Sequence, residues 1–162
     1  MKLAVLTRER LRDALDPQPT DRLLEVGPGT GYYTLDIAAR VARLDIFDLQ
    51  QEMLDHTLRR AREAGLSTIT ATQGDAQRLP YDDAAFDAAY LVAVLGEIPD
   101  QDAALRELAR VLKPGGRLVV GELFGDPHWV APPTLRRRAE RAGLHFQGRG
   151  GRLLGQYSVF TK

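Results

Sequence analysis

The stretch "LLEVGPGTGYYTLDIAAR", from Leu23 to Arg40, decides the fold of this chain. An apolar run ends in an acid, breaks into glycines at Gly27, Gly29 and Gly31, and continues as a helical pattern. Glycine lets a backbone take positive φ and approach a ligand closely. A helix after the loop would also present free N–H groups and the positive end of its dipole. We therefore expect a polar or anionic ligand at this loop, with a tight turn that binds nothing as the alternative.

From Asp21 onward the same theme repeats: a short aliphatic or β-branched run, a turn with Gly or Asp, and a helical stretch. This alternation is typical of βαβ units and a parallel sheet. Strands covered on both faces are predicted at 22–26, 43–49, 67–73, 86–94 and 116–123, and a closing pair at 144–149 and 155–162. Helices are predicted at 32–42, 50–65, 100–112 and 132–143, with Gly65 and the "KPGG" turn at 113–116 as stops.

The length and composition of the chain exclude several classes of protein and of site. A chain of 162 residues is about one domain, predicted as a single unit over 1–162 with a short N-terminal helix in 1–20 and the core in 21–162. Its 22 basic and 22 acidic residues give zero net charge, which argues against a nucleic-acid partner. The absence of cysteine excludes disulfides, thiolate metal sites and cysteine nucleophiles. The N-terminal apolar run is too short for a signal peptide or a membrane span, so we expect a cytoplasmic protein.

The glycine spacing separates two ligand classes. The dinucleotide fingerprint G-x-G-x-x-G would place its third glycine where Tyr32 stands, so a nicotinamide cofactor is disfavoured. The pattern E-x-G-x-G-x-G resembles motif I of the class I S-adenosylmethionine-dependent methyltransferases. Further matching segments are "DIFDLQQEML" at 45–54, "GDAQRLPYDDAAFD" at 74–87 and "LRELARVLKPGGRLVVGE" at 105–122. The chain resembles most the small-molecule branch of that family, which includes ubiquinone- and menaquinone-type enzymes.

The resemblance implies an α/β fold with a Rossmann-like, doubly wound, seven-stranded sheet, mostly parallel with an antiparallel last strand. It also implies S-adenosyl-L-methionine as cofactor. Asp48 would accept hydrogen bonds from the ribose hydroxyls, Leu49 and Met53 would form an apolar floor for adenine, and Asp75 with the Ala76 N–H would meet the adenine edge. The cofactor-binding residues implied are Glu25, Gly27, Gly29, Gly31, Asp48, Leu49, Met53, Gly74, Asp75, Ala76 and Val92.

The acceptor side departs from the family pattern. Many relatives resemble "LHHVPD" after the fourth strand, whereas this chain has Gly96 and Glu97 in place of the histidines. Glu97 is therefore a candidate base or acceptor-orienting group, and His128 beside Trp129 is a second candidate catalytic residue. For both, a solvent-facing loop side chain is the alternative. We expect no metal site, because His56, His128 and His145 are scattered along the chain.

The sequence thus predicts a methyltransferase that moves a methyl group from S-adenosylmethionine to a small organic acceptor by in-line displacement. A non-catalytic S-adenosylmethionine-binding module and a nicotinamide-dependent oxidoreductase are the alternatives. The segment before the first strand is short for a lid, so the site is expected to be open, filled by a large acceptor or closed by a partner subunit. A homodimer through an exposed sheet edge or the N-terminal helix is a separate expectation.

Overall fold

The computed structural model describes residues 5–162 as alternating strands and helices. The helices are α1 Arg8–Leu15, α2 Thr34–Ala38, α3 Gln51–Glu63, α4 Gln101–Val111 and α5 Pro132–Arg141. The strands are β1 Arg22–Val26, β2 Arg43–Asp48, β3 Ile69–Gln73, β4 Phe86–Val92, β5 Leu112–Leu123, β6 His145–Arg152 and β7 Gly155–Thr161. One turn of 3₁₀ helix, Leu95–Glu97, follows β4.

The strands form one seven-stranded sheet in the order β3-β2-β1-β4-β5-β7-β6. The pairs from β3 through β5 are parallel, and β7 runs antiparallel to both β5 and β6. This confirms the predicted doubly wound fold with its antiparallel last strand. The strand order reverses between β1 and β4, and ligands of such sheets bind at the carboxyl ends of the strands beside that switch point.

Helices cover both faces of the sheet and bury an apolar core on each. Adjacent residues of β5 show the alternation, since Val119 belongs to one core and Val120 to the other. The core under α1, α2 and α3 includes Leu11, Leu15, Ile37, Leu54 and Tyr90. The core under α4 and α5 includes Leu105, Leu108, Leu135, Phe86 and Phe160.

The N-terminal helix is fastened to the same sheet. The Thr7 hydroxyl caps α1 by accepting from the Arg10 N–H at 3.3 Å, and the Tyr157 hydroxyl of β7 donates to the Thr7 carbonyl at 3.3 Å. Leu11 and Leu15 are fully buried against β5 and β7. The segment before Asp21 therefore contributes to the core of the unit that the glycine loop belongs to.

The helix after the glycine loop is shorter than predicted. It spans five residues, Thr34–Ala38, in place of the expected 32–42. The chain turns back early because the N–H groups of Ala42 and Arg43 donate to the Asp21 carbonyl, at 3.1 and 3.2 Å, to start β2. The helix dipole expected at the ligand is small, because the helix has only five residues, and none of them lines the cavity described below.

The predicted "KPGG" turn is the start of a strand. Helix α4 ends at Val111, and β5 begins at once with Leu112. Gly115, at φ +77°, donates from its N–H to the Lys162 carbonyl at 2.8 Å, and Lys162 donates back to the Gly116 carbonyl at 3.0 Å. The register against β4 shifts here, so the residues expected to end a helix form a bulge paired with Lys162.

The expectation that the predicted parallel strands are buried on both faces was wrong for β3. This strand begins at Ile69, two residues later than predicted, and all its residues are at least partly exposed. It forms one edge of the sheet, so no neighbour covers its outer side. The other edge, β6, is mostly exposed as well.

Candidate functional site

A cavity of about 500 Å³ opens where the strand order reverses, at the carboxyl ends of β1, β2, β3 and β4. We call it the switch-point cavity. Its volume lies within the range of small-molecule sites, roughly 300–1,000 Å³. Its lining includes nine of the eleven predicted cofactor-binding residues, namely Gly27, Gly29, Asp48, Leu49, Met53, Gly74, Asp75, Ala76 and Val92.

The three glycines of the loop have different surroundings. All have positive φ, at +74°, +56° and +83° for Gly27, Gly29 and Gly31. A Cβ on Gly27 would lie 2.5 Å from Val94 Cγ2, whereas a Cβ on Gly29 would meet no protein atom within 4 Å. Gly31 lies outside the cavity lining, and its Cβ would press on Thr57 Cγ2 at 3.1 Å. Gly29 is thus the position where the backbone borders open cavity space.

Helix α3 holds the loop from behind. The Thr57 hydroxyl donates to the Gly29 carbonyl at 3.1 Å, and the Arg60 guanidinium donates to the Thr30 carbonyl. On the strand side, the Gly27 N–H donates to the Phe47 carbonyl at 2.8 Å. These bonds fix the loop before any ligand arrives, which reduces the ordering cost of binding.

Asp48 ends β2 at the cavity wall. Its Oδ1 accepts from the Gln50 N–H at 2.8 Å, and none of the described residues donates to its Oδ2. The neighbouring residue Leu49 is 68% exposed, and Met53 from the first turn of α3 lies in the same lining. One oxygen of this carboxylate is therefore held by the backbone while the other is available beside an apolar surface.

Asp75 repeats this arrangement at the end of β3. Its Oδ1 accepts from the Gln77 N–H at 2.9 Å, and the Gln77 side-chain amide donates to both carboxylate oxygens at 3.0 Å. Gly74 precedes it because a Cβ there would lie 2.7 Å from Phe47 Cζ. A carboxylate has about four acceptor positions, so Asp75 can accept from a ligand as well.

Glu25 lies beneath the loop and outside the cavity lining. It is 2% exposed, and its Oε2 accepts from the Thr34 hydroxyl at 2.5 Å. Burial raises the pKa of Glu25 to about 7, although the hydroxyls of Thr34 and Tyr90 oppose that effect. The acid that opens motif I thus ties β1 to the start of α2 in this structure.

The two candidate catalytic residues lie in different surroundings. Glu97 is exposed and lines the switch-point cavity, whereas His128 is exposed and lies outside its lining. A Cβ on Gly96 would lie 1.6 Å from the His128 carbonyl oxygen. Glycine at this position therefore lets the loop after β5 pack directly on the turn after β4.

Comparison with known proteins gives the family. Residues 24–120, more than half of the chain, match a family described as a methyltransferase domain. The chain belongs to the class I S-adenosylmethionine-dependent methyltransferases. A demethylmenaquinone methyltransferase of Mycolicibacterium gilvum is 40% identical over 121 residues, which are 74% of this chain and 49% of that protein. An O-methyltransferase of Penicillium expansum is 37% identical over 139 residues, 83% of this chain and 49% of that protein.

The fold of this chain also recurs among solved structures. An S-adenosylmethionine-dependent methyltransferase from Aquifex aeolicus superposes with a TM-score of 0.89 at 17% identity, covering 99% of this chain and 92% of the other. At that identity the match shows a shared fold. The chain spans about half the length of the two sequence relatives.

The switch-point cavity fits the cofactor of this methyltransferase family. Asp48 Oδ2 accepts no hydrogen bond from the described residues and can accept one from a ribose hydroxyl, and the exposed Leu49 offers an apolar surface to an adenine face. The open space at Gly29 admits a ligand against the backbone. The residues that line the cavity therefore fit an adenosine group.

Several lining residues of the methyltransferase cavity were missed from sequence. Phe47, Gln77 and Ala93 belong to the lining, and Ala93 has a left-handed φ of +56°. Strained backbone is common at binding sites, but an alanine gives no sign of it in a sequence. Gln77 occupies a variable position of its motif, so its bond to Asp75 could be found only in three dimensions.

Within residues 5–162, no group of three or more His, Cys, Asp or Glu side chains is placed to hold a metal ion. In the same range, every helix is too short or too polar to cross a membrane.

Proposed function

We propose that this protein transfers a methyl group from S-adenosylmethionine to a small organic acceptor by in-line displacement. The observation that supports this most strongly is the gathering of nine motif residues around one cavity of about 500 Å³ at the switch point of the sheet. Cytoplasmic location and a homodimer that covers the open cavity stay predictions of the sequence.

The residues that line the switch-point cavity bind the cofactor and orient it. When bound, S-adenosylmethionine supplies a methyl carbon on a positively charged sulfur. Asp48 accepts hydrogen bonds from vicinal ribose hydroxyls with its free oxygen, and Leu49 and Met53 pack on the adenine face. Asp75, fixed by Gln77, accepts from the adenine edge. Holding the reactants in line is a large part of catalysis for a displacement of this kind.

The acceptor is proposed to enter beside the turn after β4. Glu97 lies there in the cavity lining and is the candidate that orients the acceptor or removes its proton. The names of the relatives point to an acceptor class, since one acts on demethylmenaquinone and another is an O-methyltransferase. We therefore propose a hydroxylated aromatic or quinone-like acceptor for this chain.

The test is formation of S-adenosylhomocysteine from S-adenosylmethionine with a panel of demethylated naphthoquinols, catechols and aliphatic alcohols. We expect turnover with an aromatic member of the panel. Glu97→Gln should lower kcat about 100-fold, the lower end for a general base, without changing S-adenosylhomocysteine affinity. The matched control is Glu52→Gln, an exposed acid on α3 outside the lining.

Two results would contradict the proposal in different ways. Binding of S-adenosylhomocysteine without turnover on any acceptor would indicate a non-catalytic binding module. Turnover that is equally fast in the Glu97 and Glu52 variants would support the methyltransferase activity but show that Glu97 has no role in the reaction.

A further inference from the structure

A second cavity, of about 250 Å³, opens at the same end of the sheet beyond β5. We call it the Glu122 cavity. It lies between the end of β5, the start of β7 and the start of α5, and it shares no lining residue with the switch-point cavity. The packing of Gly96 on the His128 carbonyl joins the two loops that stand between the cavities.

Glu122 is the group that makes this cavity chemically unusual. The side chain is 6% exposed; its Oε2 accepts from the Val130 N–H at 3.1 Å, and its buried Oε1 has no hydrogen-bond partner among the described residues. Burial raises the pKa of Glu122 to about 7, against the effect of the Val130 N–H and with the negative charge of Asp126 adding to it. A buried carboxylate oxygen is stabilised by a donor, so Glu122 Oε1 is a position at which a ligand N–H can bind.

The mouth of the cavity is apolar and aromatic. Phe124 and Trp129 meet edge to face with ring centroids 5.0 Å apart. In residues 5–162 the exposed large apolar side chains are Leu49, Phe124, Trp129, Leu153 and Leu154. All except Leu49 line the Glu122 cavity, and clustered exposed apolar groups mark binding sites more often than scattered ones do.

We propose that the Glu122 cavity binds a small apolar organic ammonium ion, with its N–H donating to Glu122 Oε1 and its apolar body against Phe124, Trp129 and Leu153. A cationic donor gives the buried oxygen a charge-assisted hydrogen bond, about twice as strong as a neutral one. The cavity is smaller than a typical drug-sized site, which limits the ligand to about one ring and a short chain.

One positively charged side chain, that of Arg149, also lies in the lining of the Glu122 cavity. Arg149 is exposed, and its guanidinium donates to Gln156 Oε1 at 3.5 Å at the rim. Solvent screens an exposed charge much more than a buried one. The buried carboxylate therefore sets the preferred charge of the ligand, and an anion would be bound only if Arg149 outweighed it.

The test compares three probes of one shape and different charge: 2-phenylethylamine, 2-phenylethanol and phenylacetate. Binding to the full chain is followed by NMR at pH 8, above the raised pKa of Glu122, in the presence of saturating S-adenosylhomocysteine to block the switch-point cavity. We expect the amine to bind at least tenfold more tightly than the alcohol, and the anion to bind least. Equal binding of amine and alcohol, tighter binding of phenylacetate, or no binding of the amine at millimolar concentration would overturn the proposal.

Single-residue variants test whether the preference for the amine arises at Glu122. Glu122→Gln keeps an acceptor for the Val130 N–H and should remove the preference for the amine, while Glu140→Gln, which removes an exposed acid from α5, should leave it unchanged. Trp129→Ala should weaken the amine several-fold. If Glu122→Gln does not fold, the Trp129→Ala variant and the comparison of the three probes in the unchanged protein still test whether the Glu122 cavity binds the amine. Retention of the full amine preference in Glu122→Gln would contradict the assignment.

Discussion

The two cavities at the carboxyl end of the sheet are built in different ways. The switch-point cavity uses glycines and acids that follow consecutive strands, and Asp48 and Asp75 each accept from the backbone N–H two residues later. The Glu122 cavity gathers side chains from the loop after β5, the start of α5 and the β6–β7 turn. Backbone-based recognition leaves a regular spacing in the sequence, whereas side chains collected from separate loops leave none.

Each region also contains a buried glutamate whose pKa burial raises to about 7. Glu25 accepts a 2.5 Å hydrogen bond from Thr34 and joins two elements of the fold. Glu122 keeps one oxygen without a partner. Similar electrostatics therefore serve structure in the first region and, in our proposal, ligand binding in the second.

The largest expected effect comes from blocking the switch-point cavity. Gly29→Val should weaken S-adenosylhomocysteine binding more than 100-fold, because the side chain would occupy space that the ligand needs and the positive φ is costly for a β-branched residue. The control is Gly65→Val, which has a similar φ of +73° and equally open surroundings but lies after α3. If both variants bind normally, the loop is only architectural; if both lose binding, backbone strain and not occlusion is the cause.

A pH series tests the raised pKa of Glu25. The folded pKa of Glu25 is raised, so the folded state holds more protons than the unfolded state between pH 4.5 and about 7, and the free energy of unfolding falls as pH rises through that window. Glu25→Gln cannot lose this proton, and Gln can still accept from Thr34. Relative to the unchanged protein, the variant should gain on the order of 2–3 kcal/mol between pH 4.5 and pH 8 in urea unfolding. A constant difference across the series would contradict the assigned pKa.

Asp48→Asn tests the ribose contact with the smallest change. The amide oxygen can still accept from the Gln50 N–H, while the free carboxylate oxygen becomes a donor. Binding of S-adenosylhomocysteine should weaken by about 1.5–3 kcal/mol, or about 10- to 150-fold in Kd. The control is Asp55→Asn, an exposed acid on α3 outside the lining. Equal affinity of the two variants for S-adenosylhomocysteine would show that Asp48 does not bind the ribose.

The sequence predicted the fold and one cavity well for physical reasons. A buried strand such as β1 leaves an apolar run whose ends, Arg22 and Val26, can be placed to the residue. The extents of α2 and of β5 were wrong because pairing with distant residues, Asp21 and Lys162, overrides local helix and turn signals. Nothing in the sequence distinguishes Glu122 from other acids, since its burial depends on packing between β5 and α5.

The central claim is that the glycine loop and the two aspartates bind the adenosine of S-adenosylmethionine. Titration calorimetry of the purified protein with S-adenosylhomocysteine, with NADH as the comparison ligand, tests it most directly. We expect micromolar binding of S-adenosylhomocysteine and no heat from NADH. Binding of NADH in preference to S-adenosylhomocysteine, or silence from both ligands, would contradict it.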